Sequence, residues 1–309
     1  LHTRIHAMRG RLFHLRDYAA FLRDWETSRN EDGTINEQEL ARDKEQLFDE
    51  QVRSVMLLAE ASDYHRPLFL AFLRYFEIQN CRTLVAAAFG RDTLEQWYPV
   101  GRLALLGRGL LEERISPDIL KERLEDTYLE EIFAAGLTYD RLQLQLDLLP
   151  VLLALRASEA LEESDRSLFR EMIAMRAALI AVLRRERLAR HYGWDGGKIE
   201  SDASFLHDVL GDDLLRYFGV MSKVFSMEED ALKKLAGKSP ELDDIEYRLE
   251  QFYHSWVSHF FYRDFHSVCS VVSYLWLLSR QIYNLFGIVD GLRFGVSHEA
   301  ILGRVISDP

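Results

Sequence analysis

The feature that most constrains this chain is an apolar stretch near its end, from Phe265 to Leu292. Apolar residues recur there at steps of three and four, the period of one face of an α-helix. The residues of this stripe and of its flank are Val268, Val271, Val272, Leu275, Leu278, Ile282, Trp276, Tyr283 and Phe286. The run from Val268 to Leu278 is too short to cross a bilayer, and Arg280 follows it. We therefore predict a helix that is buried among several others and ends at Gly287 and Gly291.

The rest of the composition agrees with a large helical protein. The chain has 309 residues, of which 48% are apolar and 28% charged, so it has room for two or three helical subdomains around one core. It contains six prolines, and we find no clean alternation of β-branched residues that would predict strands. The expected fold class is all-α. With no visible signal peptide or membrane span, we expect a cytosolic location.

The net charge limits the classes of partner that we expect, and the two cysteines indicate the state of the thiols. The formal net charge of −12 argues against a nucleic-acid backbone as the main partner. An acidic protein can still dock on the protruding loops of an integral membrane protein. Cys81 and Cys269 are far apart in apolar helical surroundings, so we predict buried free thiols rather than a disulfide.

Periodicity and turn residues divide the chain into helices and connectors. The predicted helices cover about 3–25, 39–61, 67–90, 139–160, 167–191, 245–262, 265–286 and 298–306. Pro117 restarts a helix after a glycine-containing connector. Short helices are expected over 199–235, and a turn over 236–244.

A faint internal repeat suggests three similar units. The segment EIQN at 77–80 is echoed by QIYN at 281–284, which leaves room for one copy of about a hundred residues between them. In that middle copy, Met175 and Ala178 take the two polar positions. The predicted units are residues 1–106, 107–212 and 213–309.

One segment resembles a calcium-binding loop. With Gly33 at the sixth position, Asn30, Asp32 and Glu39 fall on the third, fifth and twelfth positions of an EF-hand loop. Ser28 replaces the first aspartate, and no second loop pairs with it. A polar connector between two helices is the favoured interpretation, and a calcium-regulated binding module stays an alternative.

The sequence shows no active site. The Gly237-Lys238-Ser239 segment lacks the first glycine of a phosphate loop, because Leu232 occupies that position. No cysteine or carboxylate completes a metal set with the histidines, and no nucleophile or metalloprotease motif is present. We therefore predict no catalytic residue, metal site or cofactor.

Three segments together resemble one family, the component of V-type ATPases called C in bacteria and archaea and d in eukaryotes. The N-terminal LHTRIHAMRGRLFHLRDYAAFL is similar to the opening of this family, and FLRYFEIQNCRTLV at 72–85 is similar to its first core segment. VSYLWLLSRQIYNLFGIVDGLRFGVSHEAI at 272–301 is similar to its closing segment. The chain departs from the family pattern at Gln281, Phe286, Met175 and Ala178.

The resemblance implies an all-α protein of three helical units arranged as a funnel with pseudo-threefold symmetry. It also implies a non-catalytic central-stalk subunit on the cytoplasmic face of the membrane, peripheral to it, which transmits torque for proton or sodium transport. The implied partners are the central-axle subunits and the proteolipids of the membrane rotor ring. No nucleic acid, small-molecule substrate or cofactor is implied.

Candidate contact residues follow from the repeat and the resemblance. We expect six polar residues to line or brace the central opening or to contact axle or ring: Glu77, Asn80, Arg82, Arg184, Gln281 and Asn284. Polar residues that serve only helix packing are the alternative for these positions. For the whole protein, the alternative is an unrelated helical-repeat scaffold that binds other proteins.

Overall fold

The structure is a computed structural model. It describes residues 1–27, 37–91, 97–101, 104–111, 115–133, 138–191, 193–197 and 242–308. All regular secondary structure in these ranges is helical, which confirms the all-α prediction. The α-helices are α1 His2–Arg9, α2 Leu15–Thr27, α3 Glu37–Glu60, α4 Arg66–Ala88, α5 Pro117–Arg123, α6 Tyr139–Ser158, α7 Glu163–His191, α8 Leu242–Phe261, α9 Val268–Arg293 and α10 His298–Leu302. Short 3-10 helices occupy Arg108–Leu111 and Glu130–Phe133.

The described residues form two compact units, one spanning 37–161 and the other 2–36 together with 162–309. The three-unit organisation with boundaries at 106 and 212 stays a prediction. Residues 198–241 lie outside the described ranges, and so do the short helices predicted there. Residues 28–36, which contain most of the possible calcium-binding segment, also lie outside them.

The first unit is organised around α4, which packs against α3, α5 and α6. Pro67 lies in the first turn of α4, as the sequence predicted. Aromatic rings fill one side of the core: Phe76 lies 5.0 Å from Phe48 and 5.1 Å from Tyr98, measured between ring centroids. Leucines and isoleucines of α5, α6 and the segments between them cover the other side of α4.

The second unit is organised around α9, which packs against α1, α7 and α8. The Ser267 hydroxyl caps its N-terminus by accepting from the Cys269 N–H at 3.2 Å. Asp165 Oδ1 accepts from the Val268 N–H at 3.0 Å and satisfies another amide of the first turn. Most of the side chains of α9 are buried, which confirms the prediction of a helix surrounded by others.

The predicted end of this helix was wrong. The helix continues through Gly287 and Gly291 and ends at Arg293, followed by Gly295 in a left-handed conformation with φ of +66°. Gly291 has a packing role instead, because a Cβ atom there would lie 2.8 Å from Cγ1 of Ile301. A glycine inside a helix can serve close packing, and periodicity alone does not separate this role from a stop.

The predicted single N-terminal helix over 3–25 was also wrong. α1 ends at Arg9 and α2 begins at Leu15, with a turn at Gly10 between them. The new N-terminus is capped by Asp17, whose Oδ2 accepts from the His14 N–H at 2.9 Å. The apolar spacing was compatible with one helix, but the local cap and the contacts of the turn favour two.

The two cysteines agree with the prediction. Cys81 in α4 and Cys269 in α9 are free and buried. Burial raises the pKa of both thiols, which keeps them protonated and unreactive.

Candidate functional site

The first cluster of predicted site residues lies in the first unit, on the buried side of α4. Asn80 Nδ2 donates to the carbonyl of Tyr98 at 2.7 Å, and Asn80 Oδ1 accepts from the N–H of the same residue at 2.8 Å. Glu77 Oε1 accepts from the N–H groups of Leu105 and Leu106 at 2.8 and 2.9 Å. The pair therefore fixes the chain after α4 at two places. We call Glu77, Asn80 and the backbone groups that they bind the first clasp.

The second clasp is built by the corresponding pair of α9. Asn284 Nδ2 donates to the carbonyl of Ile306 at 2.7 Å, and its Oδ1 accepts from the N–H of Ile306 at 3.2 Å. Gln281 Oε1 accepts from the N–H of Phe13 at 2.8 Å, although these two residues are 268 positions apart in the chain. This clasp ties the N-terminal turn and the C-terminal segment to one helix.

The two clasps share one geometry, which gives the sequence repeat a physical meaning. In each, an asparagine amide pairs with both backbone groups of a single residue, as a neighbouring strand would. In each, the side chain one turn earlier accepts from a backbone N–H in a different segment. Buried backbone groups outside helices need such partners, because leaving one unpaired costs about 1–3 kcal/mol.

The clasp residues are inaccessible in this structure. The exposed fraction is 1% for Glu77, 0% for Asn80, 6% for Gln281 and 7% for Asn284. Each of these side chains binds the chain's own backbone through at least one polar atom, which favours bracing over direct contact with a partner. Their predicted role at an axle or ring surface stays a prediction.

Glu77 differs from Gln281 by carrying a charge into the core. Burial raises the pKa of the Glu77 carboxyl, and the hydrogen bonds from Leu106 and Leu105 partly oppose this shift. A glutamate in this position makes the first clasp sensitive to pH, whereas the amide of Gln281 does not titrate.

The two predicted arginines lie apart from the clasps. Arg82 is on α4, two residues after Asn80, and its Nη1 lies 2.7 Å from Oδ1 of Asp147 on α6. Their side chains are 30% and 19% exposed, so this ion pair braces α4 against α6 near the surface. Arg184 lies half-buried on α7 in the second unit and has an interaction partner within the chain.

A buried ion cluster in the second unit was missed by the sequence analysis. Glu250 of α8 accepts from Arg176 of α7 at 2.7 Å and pairs with Arg280 of α9. The Arg176 guanidinium also lies 4.4 Å from the ring centroid of Trp276. Burial raises the pKa of the Glu250 carboxyl, but the charges of the two arginines outweigh it and the net shift is downward. The cluster joins three helices by charge.

A second missed cluster holds the C-terminal segment. Asp308 Oδ1 accepts from the Ser258 hydroxyl at 2.8 Å and lies 3.1 Å from Nε2 of His254. Its other oxygen pairs with Arg9 at the end of α1. The hydrogen bond from His254 is the main cause of a lowered pKa at Asp308, which keeps its carboxylate charged.

The sequence did contain a signal for the first of these clusters. Arg280 interrupts the mostly apolar helix α9, and Arg176 interrupts the apolar run at 172–183 of α7; a buried arginine requires a carboxylate partner. The partner, Glu250, could not be selected among many glutamates without the fold. Nothing in the sequence distinguished Asp308.

The Ser258, His254 and Asp308 side chains are not arranged as a nucleophile with its base. Ser258 and His254 both bind Asp308, so the serine hydroxyl donates to the carboxylate and not to the imidazole, as a nucleophile would need. Across the described ranges, no group of three His, Cys, Asp or Glu side chains is placed to hold a metal ion. None of the helices that the structure describes is both long enough and apolar enough to cross a membrane.

The fold and the clasps thus define an all-α protein in which buried polar pairs brace the segments between long helices. A family model described as ATP synthase (C/AC39) subunit matches residues 1–304. The chain belongs to this family, the C/AC39 (d) family of V/A-type ATP synthase subunits, as its sequence resemblance predicted. Neither the comparison with curated proteins nor the comparison with solved structures gives a match.

Proposed function

We propose that this chain is the non-catalytic central-stalk subunit that couples the axle of a rotary V-type ATPase or ATP synthase to the membrane rotor ring. The observation that carries this proposal is the family match over residues 1–304. In this role the protein seats the axle on the ring and transmits torque for proton or sodium transport. Its partners are then the axle subunits and the ring proteolipids, and it lies on the cytoplasmic face of the membrane.

The packing of each unit supports a mechanical role. Torque passes through a coupling protein without loss only if its body resists deformation, and close-packed helices provide that resistance. The core helix α9 spans Val268–Arg293 and is buried along its length. Aromatic pairs such as Phe48 with Phe76, and the charged contacts of Glu250, add directional contacts to both units.

The clasps extend this rigidity to the connecting segments. Docking surfaces of helical proteins are commonly formed by the loops at helix ends, which move unless something fixes them. Asn80 fixes Tyr98, and Asn284 fixes Ile306, through two hydrogen bonds each. We infer that Glu77, Asn80, Arg82, Arg184, Gln281 and Asn284 brace the walls of a central opening formed by three units at 1–106, 107–212 and 213–309.

Family membership weighs against the unrelated helical-repeat scaffold as an explanation. Binding of calcium by the 28–39 loop concerns residues that are mostly outside the described ranges and takes no part in the proposal.

Coupling itself is the property to test. Membranes of a strain that lacks this chain should retain ATP hydrolysis by the catalytic head but lose ATP-driven ion uptake, measured with an ion-sensitive dye in sealed vesicles. Adding back the purified protein should restore uptake. Normal uptake in its absence would contradict a coupling role.

A further inference from the structure

The start of the chain is basic, although the protein as a whole is acidic. Its first 23 residues contain five arginines and one acidic residue, Asp17, which gives a formal charge of +4. Because the whole chain carries −12, the remaining residues carry −16. Such a separation of charge is typical of a segment that meets an anionic partner.

These arginines are largely unused by the fold. Arg9 is the exception, since it binds Asp308. Arg4, Arg11 and Arg23 are exposed and form no ion pair with any residue that the structure describes. The Arg16 side chain is 85% exposed, and its ion pair is with the adjacent Asp17 at 3.8 Å.

Several arginines later in the chain pair with distant carboxylates instead. Arg82 pairs with Asp147, Arg187 with Glu246 and Arg263 with Glu171, each at 2.7 Å or less and each between two helices or a helix and a turn. These partners come from distant parts of the chain. The positive charge of the N-terminal segment therefore remains available to something outside the chain.

The turn between α1 and α2 is held by hydrogen bonds and buried side chains, and part of the positive charge lies on its exposed side. Hydrogen bonds from Arg11 N to Met8 O and from Leu12 N to Arg9 O close the turn at 3.0 and 3.2 Å. Leu12 is buried, and Phe13 is fixed by the second clasp. On the exposed side, Arg11, Leu15 and Arg16 point to solvent, with Leu15 46% exposed. We call these three residues the basic corner.

We propose that the basic corner docks on a carboxylate-rich surface of another protein subunit of the same complex. The guanidinium group matches a carboxylate through two parallel hydrogen bonds, and an exposed leucine between two arginines supplies an apolar centre within a charged rim. This proposal rests on the proposed function, because that function supplies the neighbouring subunits.

Charge complementarity favours a protein over an anionic membrane as the occupant. A membrane is a broad negative surface, and the −16 carried by the rest of the chain would be repelled by it. A few arginines with one exposed leucine bind lipid headgroups weakly, and stable anchoring needs a second signal. An acidic patch on a protein can be matched locally without bringing the acidic remainder close.

A photo-cross-linking amino acid in place of Leu15, in the full chain assembled in its native membranes, tests the docking surface. Irradiation should link the chain to a protein subunit, and mass spectrometry should locate the link in a segment rich in aspartate and glutamate. Adding Arg11→Glu and Arg16→Glu should lower the yield about tenfold or more, since reversed charges repel that surface. Arg42→Glu with Arg123→Glu, the same charge change on exposed residues of the first unit, should leave the yield unchanged.

The outcomes separate the two proposals. Links to phospholipid, or none to protein while ATPase subunits co-purify with the chain, would overturn the basic corner as a protein-docking site. An equal loss of yield in the Arg42 and Arg123 variant would also overturn it, because total charge rather than the corner would then be responsible. Absence of ATPase subunits from the purified wild-type material would overturn the proposed function and, with it, the identity of the partner as an ATPase subunit. A link at Leu15 to an acidic segment of another protein would then still show that the basic corner is a docking surface.

Discussion

Asn80 and Asn284 show how single side chains organise this protein. Each is almost completely buried, and each uses its amide to pair with the N–H and carbonyl of one residue 18 or 22 positions further along the chain. A hydrophobic residue of similar size would pack equally well but would leave two backbone groups unpaired. The requirement for hydrogen bonding, rather than shape, therefore explains an asparagine here.

Replacing Glu77 tests the first clasp at the level of one carboxyl group. Glu77→Gln keeps an oxygen that accepts from Leu105 and Leu106, so the free energy of unfolding should change by less than about 1 kcal/mol at neutral pH. Glu77→Ala leaves both N–H groups unpaired and should cost about 2–4 kcal/mol. Urea unfolding of the two variants measures the difference, and equal losses would contradict the clasp.

The same pair of proteins tests the pH dependence. The pKa of Glu77 is raised by folding from a reference of 4.5, so the folded state holds the proton more tightly than the unfolded state. The contribution of Glu77 to the stability of the wild type should therefore be largest below pH 4.5. It should decrease as the pH rises through the pKa of Glu77 in the folded state. Glu77→Gln should lack this decrease and gain stability relative to wild type as pH rises. If the stability of the wild type and that of Glu77→Gln change in parallel with pH, the wild-type pH dependence does not come from titration of Glu77.

Glu250 provides a sharper energetic test, because its charge is buried. Glu250→Gln leaves Arg176 and Arg280 without their carboxylate, and it should destabilise the protein by about 3–5 kcal/mol. Glu246→Gln on the same helix is the matched control, because its pair with Arg187 is 38–42% exposed and is worth less than about 1 kcal/mol. If thermal unfolding shows similar losses of stability for both variants, the buried cluster contributes no more than the exposed ion pair.

Arg82 tests bracing against direct contact with the axle. Arg82→Asp alone breaks the pair with Asp147 and should weaken binding of purified axle subunits, measured by interferometry. The swapped variant Arg82→Asp with Asp147→Arg restores the pair and should recover binding if the arginine braces α4 against α6. Unchanged affinity in the single variant would remove Arg82 from the candidate site altogether.

At the residue scale, the sequence predicted where polar side chains interrupt apolar helices but not what they bind. The repeat of EIQN and QIYN identified the clasp residues, because a polar pair one turn apart on an apolar helix needs partners. The partners are backbone groups of Tyr98 and Ile306, and backbone groups carry no sequence signal. From the sequence alone, a role at the central opening and a role in helix packing therefore both stay open for these residues.

At the element scale, α9 shows that a glycine can lie inside a helix and allow close packing, rather than end the helix. Gly291 allows Ile301 of α10 to lie directly against the helix backbone, and the C-terminal segment then continues to the second clasp. The boundary was mispredicted because the sequence pattern of a packing glycine and of a terminal glycine is the same. Helix existence, by contrast, followed from long apolar stripes and was predicted well.

Two glycines of α9 allow a matched test of this packing. Gly291→Ala places a Cβ 2.8 and 2.9 Å from Cγ1 and Cδ1 of Ile301 and should destabilise the protein by about 1–3 kcal/mol. Gly287→Ala meets nothing within 4 Å and should stabilise the helix by about 0.5–1 kcal/mol. Ile301→Val in the Gly291→Ala background should recover part of the loss. Stabilisation by both alanines would contradict the close contact.

At the scale of the whole molecule, the segments at 9–13 and 306–308 are fastened to each other and to α9 within the second unit. Gln281 holds Phe13, Asn284 holds Ile306, and Asp308 binds Arg9. Within the described residues of this unit, a load on either segment is therefore shared with α9 or with the other segment. This closure is a property of long-range contacts, which periodicity and local turn residues cannot predict.

The central claim is that this protein assembles with the axle and the rotor ring of its ATPase. The most direct measurement is purification of the tagged chain from the membranes of its own organism, with quantitative mass spectrometry of every protein that remains bound. We predict that axle subunits and ring proteolipids are recovered in fixed proportion to the chain. Recovery of soluble proteins alone, without any ATPase subunit, would contradict the account.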